Sequence, residues 1–417
     1  MSEVKIKFLG GTKQVGRSAI NVKTDINMML DYGVKVEHGE EENIYPLEPD
    51  EPVDLVVIGH AHLDHSGFLP ALFDRGRPKV MGTKPTKQLV DLLIQDSMKL
   101  MEELPFRPES FKRSLRNFYP VHLKERVERG ETQITLLDAG HITGSTMIDV
   151  VYKNKRIFYT SDFNTQETNN HYGAKPPHFN VDVLIIESTY ADREHPNRQE
   201  LELRFYEEVR SVYEEGGHVL IPSFAVDRAQ EVISILRKFD KKKRLPIYMD
   251  GMAGKATDIM LKNPEYVKNY HRFKRNMLSV ERVKSQRHRK QIVKEPCVIV
   301  TTAGMLSGGP ALFYINYLNP KSHILLPGYC VEGTNGWYLL NRGTMIIDDQ
   351  EVKIDLPVRY YDFSAHTGRS GLFAFVRALN PEKVFIVHGD HCDEFAEELK
   401  LEGFDAVAPD LGQEFTV

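Results

Sequence analysis

Short apolar runs alternate with longer amphipathic segments through most of the chain. The runs Val53–Ile58, Gln133–Leu137, Arg156–Tyr159, Val181–Ile186, His218–Ile221, Leu245–Met249, Cys297–Thr301, His323–Leu326 and Lys383–Val387 read as strands. Between them, Pro85–Met101, Gln199–Glu215 and Arg228–Lys238 carry the spacing of helices with one apolar face. Strands and helices that alternate in this way predict an α/β fold. No internal repeat or low-complexity segment interrupts the pattern.

The polar residues that follow these strands are not of random type. Val53–Ile58 runs into His60, Gln133–Leu137 into His141, Arg156–Tyr159 into Asp162, and Lys383–Val387 into His388. Ligand sites in α/β sheets lie beyond the carboxyl ends of strands. Several strands that deliver His or Asp to that edge therefore predict a site. The densest part is His60-Ala61-His62-Leu63-Asp64-His65. In an extended segment His60 and His62 point the same way, because side chains alternate. Asp64 and His65 follow as the chain turns toward a helix, where they can face a second ion. Imidazole with carboxylate is a zinc donor set.

Composition narrows the class without naming it. Hydrophobic residues make up 41% and charged residues 27%, the profile of a soluble globular chain. No apolar run approaches the ~20 residues that span a bilayer. The N-terminal segment Met1–Phe8 has a strand pattern with no apolar signal core, which predicts a cytoplasmic protein without a membrane partner. The widely spaced Cys297, Cys330 and Cys392 form no metal-binding pair and read as thiols of a reducing compartment.

The net charge of −5 argues against a nucleic-acid partner, but its distribution changes that picture. Between Lys262 and Lys294 there are eleven Lys or Arg residues and two acids. Tyr266, Tyr270, His271 and Phe273 are interleaved with them, a mixture suited to phosphate contact and base stacking. Arg272, Lys274 and Arg275 are the candidate RNA contacts there. A solvated helix face is the plainer reading of the same charges. A second basic stretch runs from Phe106 to Arg129.

His60–His65 resembles the H-x-H-x-D-H motif of the metallo-β-lactamase superfamily. Asp31, in Leu30-Asp31-Tyr32-Gly33, resembles the aspartate that supports the histidine loop in that superfamily. His141 resembles its third histidine and Asp162 its bridging carboxylate. The long segment between Asp162 and His388 is flanked by motifs similar to those of the β-CASP nucleases. These are Glu187 in Ile186-Glu187-Ser188-Thr189-Tyr190, His366 in Phe363-Ser364-Ala365-His366, and His388 in Val387-His388-Gly389-Asp390. The stretches Pro222–Gln230, Tyr248–Ala253 and Gly304–Pro310 also fit, so the resemblance runs from Phe8 to the C-terminus. The position two residues after His366, often Asp in the family, is Gly368 here.

The resemblance implies a metallo-β-lactamase αββα sandwich built from residues 1–187 and 357–417. A parallel α/β β-CASP domain, residues 188–356, would be inserted over its metal edge. It also implies two zinc ions. His60, His62 and His141 would hold one, Asp64, His65 and His388 the other, and Asp162 would bridge them. His366 would be the general acid, with Glu187 orienting it. Separately, Ser307-Gly308-Gly309 precedes the apolar run Ala311–Leu318, which would place backbone N–H groups at a helix N-terminus for a phosphate. The implied activity is two-metal hydrolysis of single-stranded RNA, in 3′-end processing or decay. A second copy or the subunits of a processing complex are the expected protein partners.

Rival readings part at single features. Small-molecule hydrolases of this superfamily have no need of the insert. DNA-directed β-CASP relatives usually carry an apolar residue where this chain has His388. Iron enzymes of the fold are expected to have an acid at the position of His62, and scaffold homologues lose ligands that are all present here. The Gly304–Pro310 loop resembles that of processing endonucleases, although relatives also act as 5′–3′ exonucleases.

Overall fold

The computed structural model describes residues 3–36, 43–101, 103–347 and 349–417. Met1 and Ser2 of the N-terminal segment lie outside it.

Two seven-stranded sheets face one another. The first has the spatial order Glu414–Thr416, Lys5–Gly10, Ala19–Lys23, Asn27–Leu30, Leu55–Val57, Lys79–Gly82 and Phe118–Pro120. The second runs Ala406–Val407, Lys383–Val387, Val183–Glu187, Lys155–Tyr159, Thr146–Tyr152, Thr132–Asp138 and Arg126–Arg129. Alternation puts one face of each strand into the space between them. In Thr132–Asp138, Ile134 and Leu136 are buried there with Ile6, Phe8, Val22 and Val57 of the opposite sheet. Phe8 lies 5.0 Å from Phe385 between ring centroids, and Phe415 lies 4.7 Å from Phe385.

Helices cover both outer faces. Lys84–Leu100 lies against the first sheet through Leu89, Val90 and Ile94. Thr83 caps it by accepting from the Thr86 N–H, and Pro85 occupies its first turn, where no intrahelical donor is lost. Arg369–Leu379 and Cys392–Leu401 cover the second sheet through Leu372, Val376, Phe395 and Leu399. The layers are therefore helix, sheet, sheet, helix.

The chain leaves this sandwich after Val183–Glu187 and returns beside it. Lys383–Val387 pairs parallel with that strand, and Glu187 sits opposite Val387. Between the two runs an all-parallel sheet in the order Glu281–Arg282, Ile247–Asp250, Val298–Thr301, Val219–Pro222, His323–Leu326 and Val358–Tyr360. Helices Arg198–Glu214 and Arg228–Phe239 bury one face of it, with Phe205, Ile233 and Leu236 in the core. Pro310–Ile315 and Asn335–Arg342 lie on the other face with Tyr314 and Leu339. A parallel sheet covered on both faces explains why its strands are continuous apolar runs.

Each of the nine sequence-derived strands corresponds to an observed one within two residues at either end. The boundary expected at residue 356 differs. Val358–Tyr360 pairs with His323–Leu326, so the inserted sheet extends beyond it. Cys297, Cys330 and Cys392 are free and buried, and burial pushes their thiols up to about 12, 12 and 11.

Phe385→Ala tests the inter-sheet core. Phe385 is fully buried between Phe8 and Phe415. Truncation should cost about 3–5 kcal/mol in urea unfolding. A loss below about 1 kcal/mol would mean that this contact contributes little.

Candidate metal centre

The edge where both seven-stranded sheets end carries the predicted residues. His60, His62 and Asp64 follow Leu55–Val57, His141 follows Thr132–Asp138, Asp162 follows Lys155–Tyr159, Glu187 ends its strand, and His388 follows Lys383–Val387. They form three overlapping groups: His60, His62, His141 and Asp162; Asp64, His65, Asp162 and His388; and Asp162, Glu187 and His366. In each group the donor atoms lie within 4.8 Å of one another. Asp162 belongs to all three.

These donor atoms fit a pair of metal ions. His62 Nδ1 is 3.1 Å from His60 Nε2 and 3.2 Å from His141 Nε2. Either contact can be bridged by a ring proton, and three imidazole nitrogens converging this closely also suit one shared cation. Burial holds His60 and His141 well below the usual histidine range, and His62 below it, so these rings are neutral, as ligands must be. Asp162 Oδ1 is buried with no hydrogen bond. Burial alone would raise this carboxyl, yet His388, His65 and His366 hold it well below the usual range. Its Oδ1 lies 3.2 Å from His65 Nε2 and 3.6 Å from His388 Nε2, where a metal ion would take the place of a proton on those rings.

The outer nitrogens of four of the five ligand rings have partners, which orient the inner ones. His65 Nδ1 donates to Asp31 Oδ2 at 2.7 Å, His141 Nδ1 to the Ala365 carbonyl at 2.9 Å, and His388 Nδ1 lies 2.8 Å from Ser18 Oγ. His60 Nδ1 is 3.3 Å from Ser161 Oγ. Asp31 also accepts from the Gly59 N–H at 2.7 Å and from the Tyr159 hydroxyl at 3.0 Å. At Gly33 a Cβ would lie 1.8 Å from the Asp64 carbonyl oxygen, so only glycine lets the aspartate loop approach the histidine loop. Asp31, Ser161 and His388 all have φ near +50°, strain that the surrounding hydrogen bonds maintain.

Glu187 and His366 form a separate pair. His366 Nδ1 donates to Glu187 Oε1 at 2.9 Å, and Glu187 also accepts from the Phe163 and Thr189 N–H groups. Burial works against a charged His366, but Glu187 and then Asp162 outweigh it and push its pKa up to about 9. Its Nε2 is 3.9 Å from Asp162 Oδ2, so a protonated nitrogen faces the metal cluster.

Two family models match the chain: the Beta-Casp domain over residues 229–339 and the Zn-dependent metallo-hydrolase RNA specificity domain over residues 351–409. "Probable RNase MJ4" of Methanocaldococcus jannaschii is 37% identical over 99% of this chain and 100% of its own length. The chain belongs to the β-CASP ribonuclease family of the metallo-β-lactamase superfamily. "RNase aCSPSF2" of Saccharolobus solfataricus is 36% identical over 99% of this chain and 85% of its own. A crystal structure of a protein of unknown function from Enterococcus faecalis V583 matches along the whole of both chains with a TM-score of 0.65 at 13% identity, which bears on the fold alone.

Within this β-CASP protein, two residues hold the site in roles that the sequence does not show. Ser18 is one. Asp227, from the inserted domain, is another. It accepts from the Thr143 N–H at 2.7 Å, from the Thr143 hydroxyl at 3.1 Å, and from His171 Nε2 at 2.5 Å. That ties the insert to the loop carrying His141. Neither Ser18 nor Asp227 is a ligand type in a ligand pattern, and only the tertiary fold shows their roles.

The weaker candidates lie elsewhere. Ser307, Gly308 and Gly309 precede Pro310–Ile315, a helix shorter than the expected apolar run. Its first residue is Pro310, which has no N–H to offer a phosphate. In the basic segment, Arg272, Lys274 and Arg275 are exposed on Tyr270–Met277, but Phe273 and Met277 face the core. The Tyr270 hydroxyl donates to the Leu261 carbonyl. Phe273 and Tyr270 are therefore packing residues, not a stacking platform. Several of the segment's cations are paired within the chain, including Lys268 with Glu167, Arg282 with Asp258 and Arg289 with Asp250.

Asp31→Asn should weaken zinc binding about 10–100-fold in chelator competition, for one ion of two, because it frees the outer nitrogen of His65. Equal loss of both ions would show that Asp31 supports the whole loop and not the His65 ring.

Proposed function

We propose that this protein is a two-zinc ribonuclease that cuts internal phosphodiester bonds of single-stranded RNA in 3′-end processing or decay. The observation that carries this reading is Asp162 shared between two metal-ligand groups, with the Glu187–His366 pair at the same carboxylate. The family places the substrate class in RNA. Both relatives are named as RNases.

In this reading His60, His62, His141 and Asp162 would hold one zinc, and Asp64, His65, His388 and Asp162 the other. Zinc, when bound, lowers the pKa of a coordinated water to about 7 and stabilises charge on the phosphoryl oxygens. The protein's own residues do the rest. Ser18, Asp31, Ser161 and the Ala365 carbonyl fix the rings. Glu187 holds His366 protonated, with its Nε2 turned toward the metals, so that it can give its proton to the leaving ribose oxygen. His366 comes from the chain just after the inserted sheet, so seating of the insert positions the acid. His388, ordered by Ser18, favours RNA over DNA as substrate by resemblance to the RNA-directed relatives. No described helix is long and apolar enough to cross a membrane. We place the enzyme in the cytoplasm.

Elemental analysis of protein purified without chelator should find two zinc ions per chain. A folded, active protein with none would remove zinc from the reading. His366→Ala should retain both ions while activity falls about 10²–10⁴-fold. Loss of one ion instead would make His366 a ligand. RNA labelled at either end should give internal fragments, and a blocked 5′ end should not slow their appearance. Release of mononucleotides only from a free 5′ end would assign the exonuclease mode.

A further inference from the structure

One motif noted in the sequence, Pro222–Gln230, has found only a partial role through Asp227. Its Arg228 lies beside a narrow cleft formed by Pro222, Ser223, Phe224, Gly304, Gly328 and Tyr329. The Arg228 side chain has no hydrogen bond or ion pair among the described residues, and its Nε is buried without a partner. The neighbouring acids Glu231 and Asp362 favour its charge from nearby but make no direct contact with it. Glu231 receives Arg198 at 2.6 Å, and Asp362 receives His195 at 2.8 Å. Burial, and then the like charge of Arg198, depress the guanidinium's pKa. A half-buried guanidinium whose Nε makes no hydrogen bond has donors left for an anion from outside.

The cleft is closed, so a strand would lie across its mouth, where Phe224 and Tyr329 are 40% and 49% exposed. A Cβ at Gly328 would stand at ordinary contact distance from Arg228 Nε and Phe224 Cε2, 3.7 and 3.8 Å, so the three residues lie close together. The cleft also adjoins the reactive centre. The Tyr190 ring is 5.8 Å from that of His366, and the Arg193 guanidinium lies 4.7 Å from the Tyr190 ring and 5.8 Å from the Tyr329 ring. A line of two cations and three aromatic rings thus leads away from the proposed general acid.

We infer that Arg228 binds an internucleotide phosphate of the RNA strand next to the scissile bond, with the flanking base stacked on the exposed rings of Phe224 and Tyr329. This rests on the ribonuclease reading and adds a subsite to it. Arginine supplies planar donors to the phosphate, and the rings accept any base, so the subsite grips the strand without reading its sequence.

The test uses zinc-loaded protein carrying His366→Ala, so that RNA stays intact, and a fluorescein-labelled oligouridylate with a 5′-hydroxyl. Anisotropy is read across a series of salt concentrations. Adding Arg228→Met should weaken binding about tenfold or more, as loss of a charge-assisted hydrogen bond does. The slope of log affinity against log salt should become shallower by about 0.7, the share of one phosphate. Arg228→Lys should recover the slope. Unchanged affinity and slope in Arg228→Met with two zinc ions bound would overturn the subsite. If Arg228→Met fails to fold, Phe224→Ala and Tyr329→Ala decide. Each should lose several-fold in affinity at unchanged slope, and the loss should vanish with abasic RNA. No loss in either would overturn the subsite as well. If the His366→Ala protein itself binds no RNA, and the unsubstituted enzyme cleaves none, the ribonuclease reading fails instead.

Discussion

The site depends on the cost of burying the Asp162 carboxylate. It sits at 1% exposure with one oxygen that no hydrogen bond satisfies. An ionised group in that state is unfavourable unless cations surround it. The fold answers by aiming His60, His65, His141, His388 and His366 at it from separate strand ends and loops. Without metal, the neutral rings of His60 and His141 give it little. Two divalent ions would satisfy its free oxygen and relieve the crowding of imidazole nitrogens at once. Metal binding and folding of this edge are therefore linked.

The inserted domain is part of this balance. Asp227 fixes the His141 loop from the insert side, and the Ala365 carbonyl, just beyond the inserted sheet, orients the His141 ring. The next residue, His366, is the proposed acid. Displacing the insert would thus disturb a metal ligand and the proton donor together. The same domain supplies Arg228, whose Nε is buried without a hydrogen bond. Hydrolysis and strand binding share one interdomain seam.

Much of the site was legible in the sequence because its chemistry is local. His60–His65 packs four ligand-type residues into six positions, and Asp31, His141, Asp162 and His388 each stand near an apolar strand. Strands such as Val183–Glu187 and Val298–Thr301 were legible because parallel burial makes them continuously apolar. What stayed hidden is non-local. Ser18 and Asp227 gain their roles from partners far along the chain. In the basic segment charge and aromatic content are visible in the sequence, whereas the helical phase that turns Phe273 into the core and leaves Arg272, Lys274 and Arg275 exposed is not. Val358–Tyr360 is short and exposed at the sheet edge, so its pattern gives little sign of the strand.

The shared carboxylate is tested most directly by diffraction from crystals grown with zinc and measured at the zinc absorption edge. Two anomalous peaks are expected, one among His60, His62, His141 and Asp162 and the other among Asp64, His65, His388 and Asp162. A single peak, or a peak bound by Glu187 and His366, would contradict the division of the site into two ions and a separate acid.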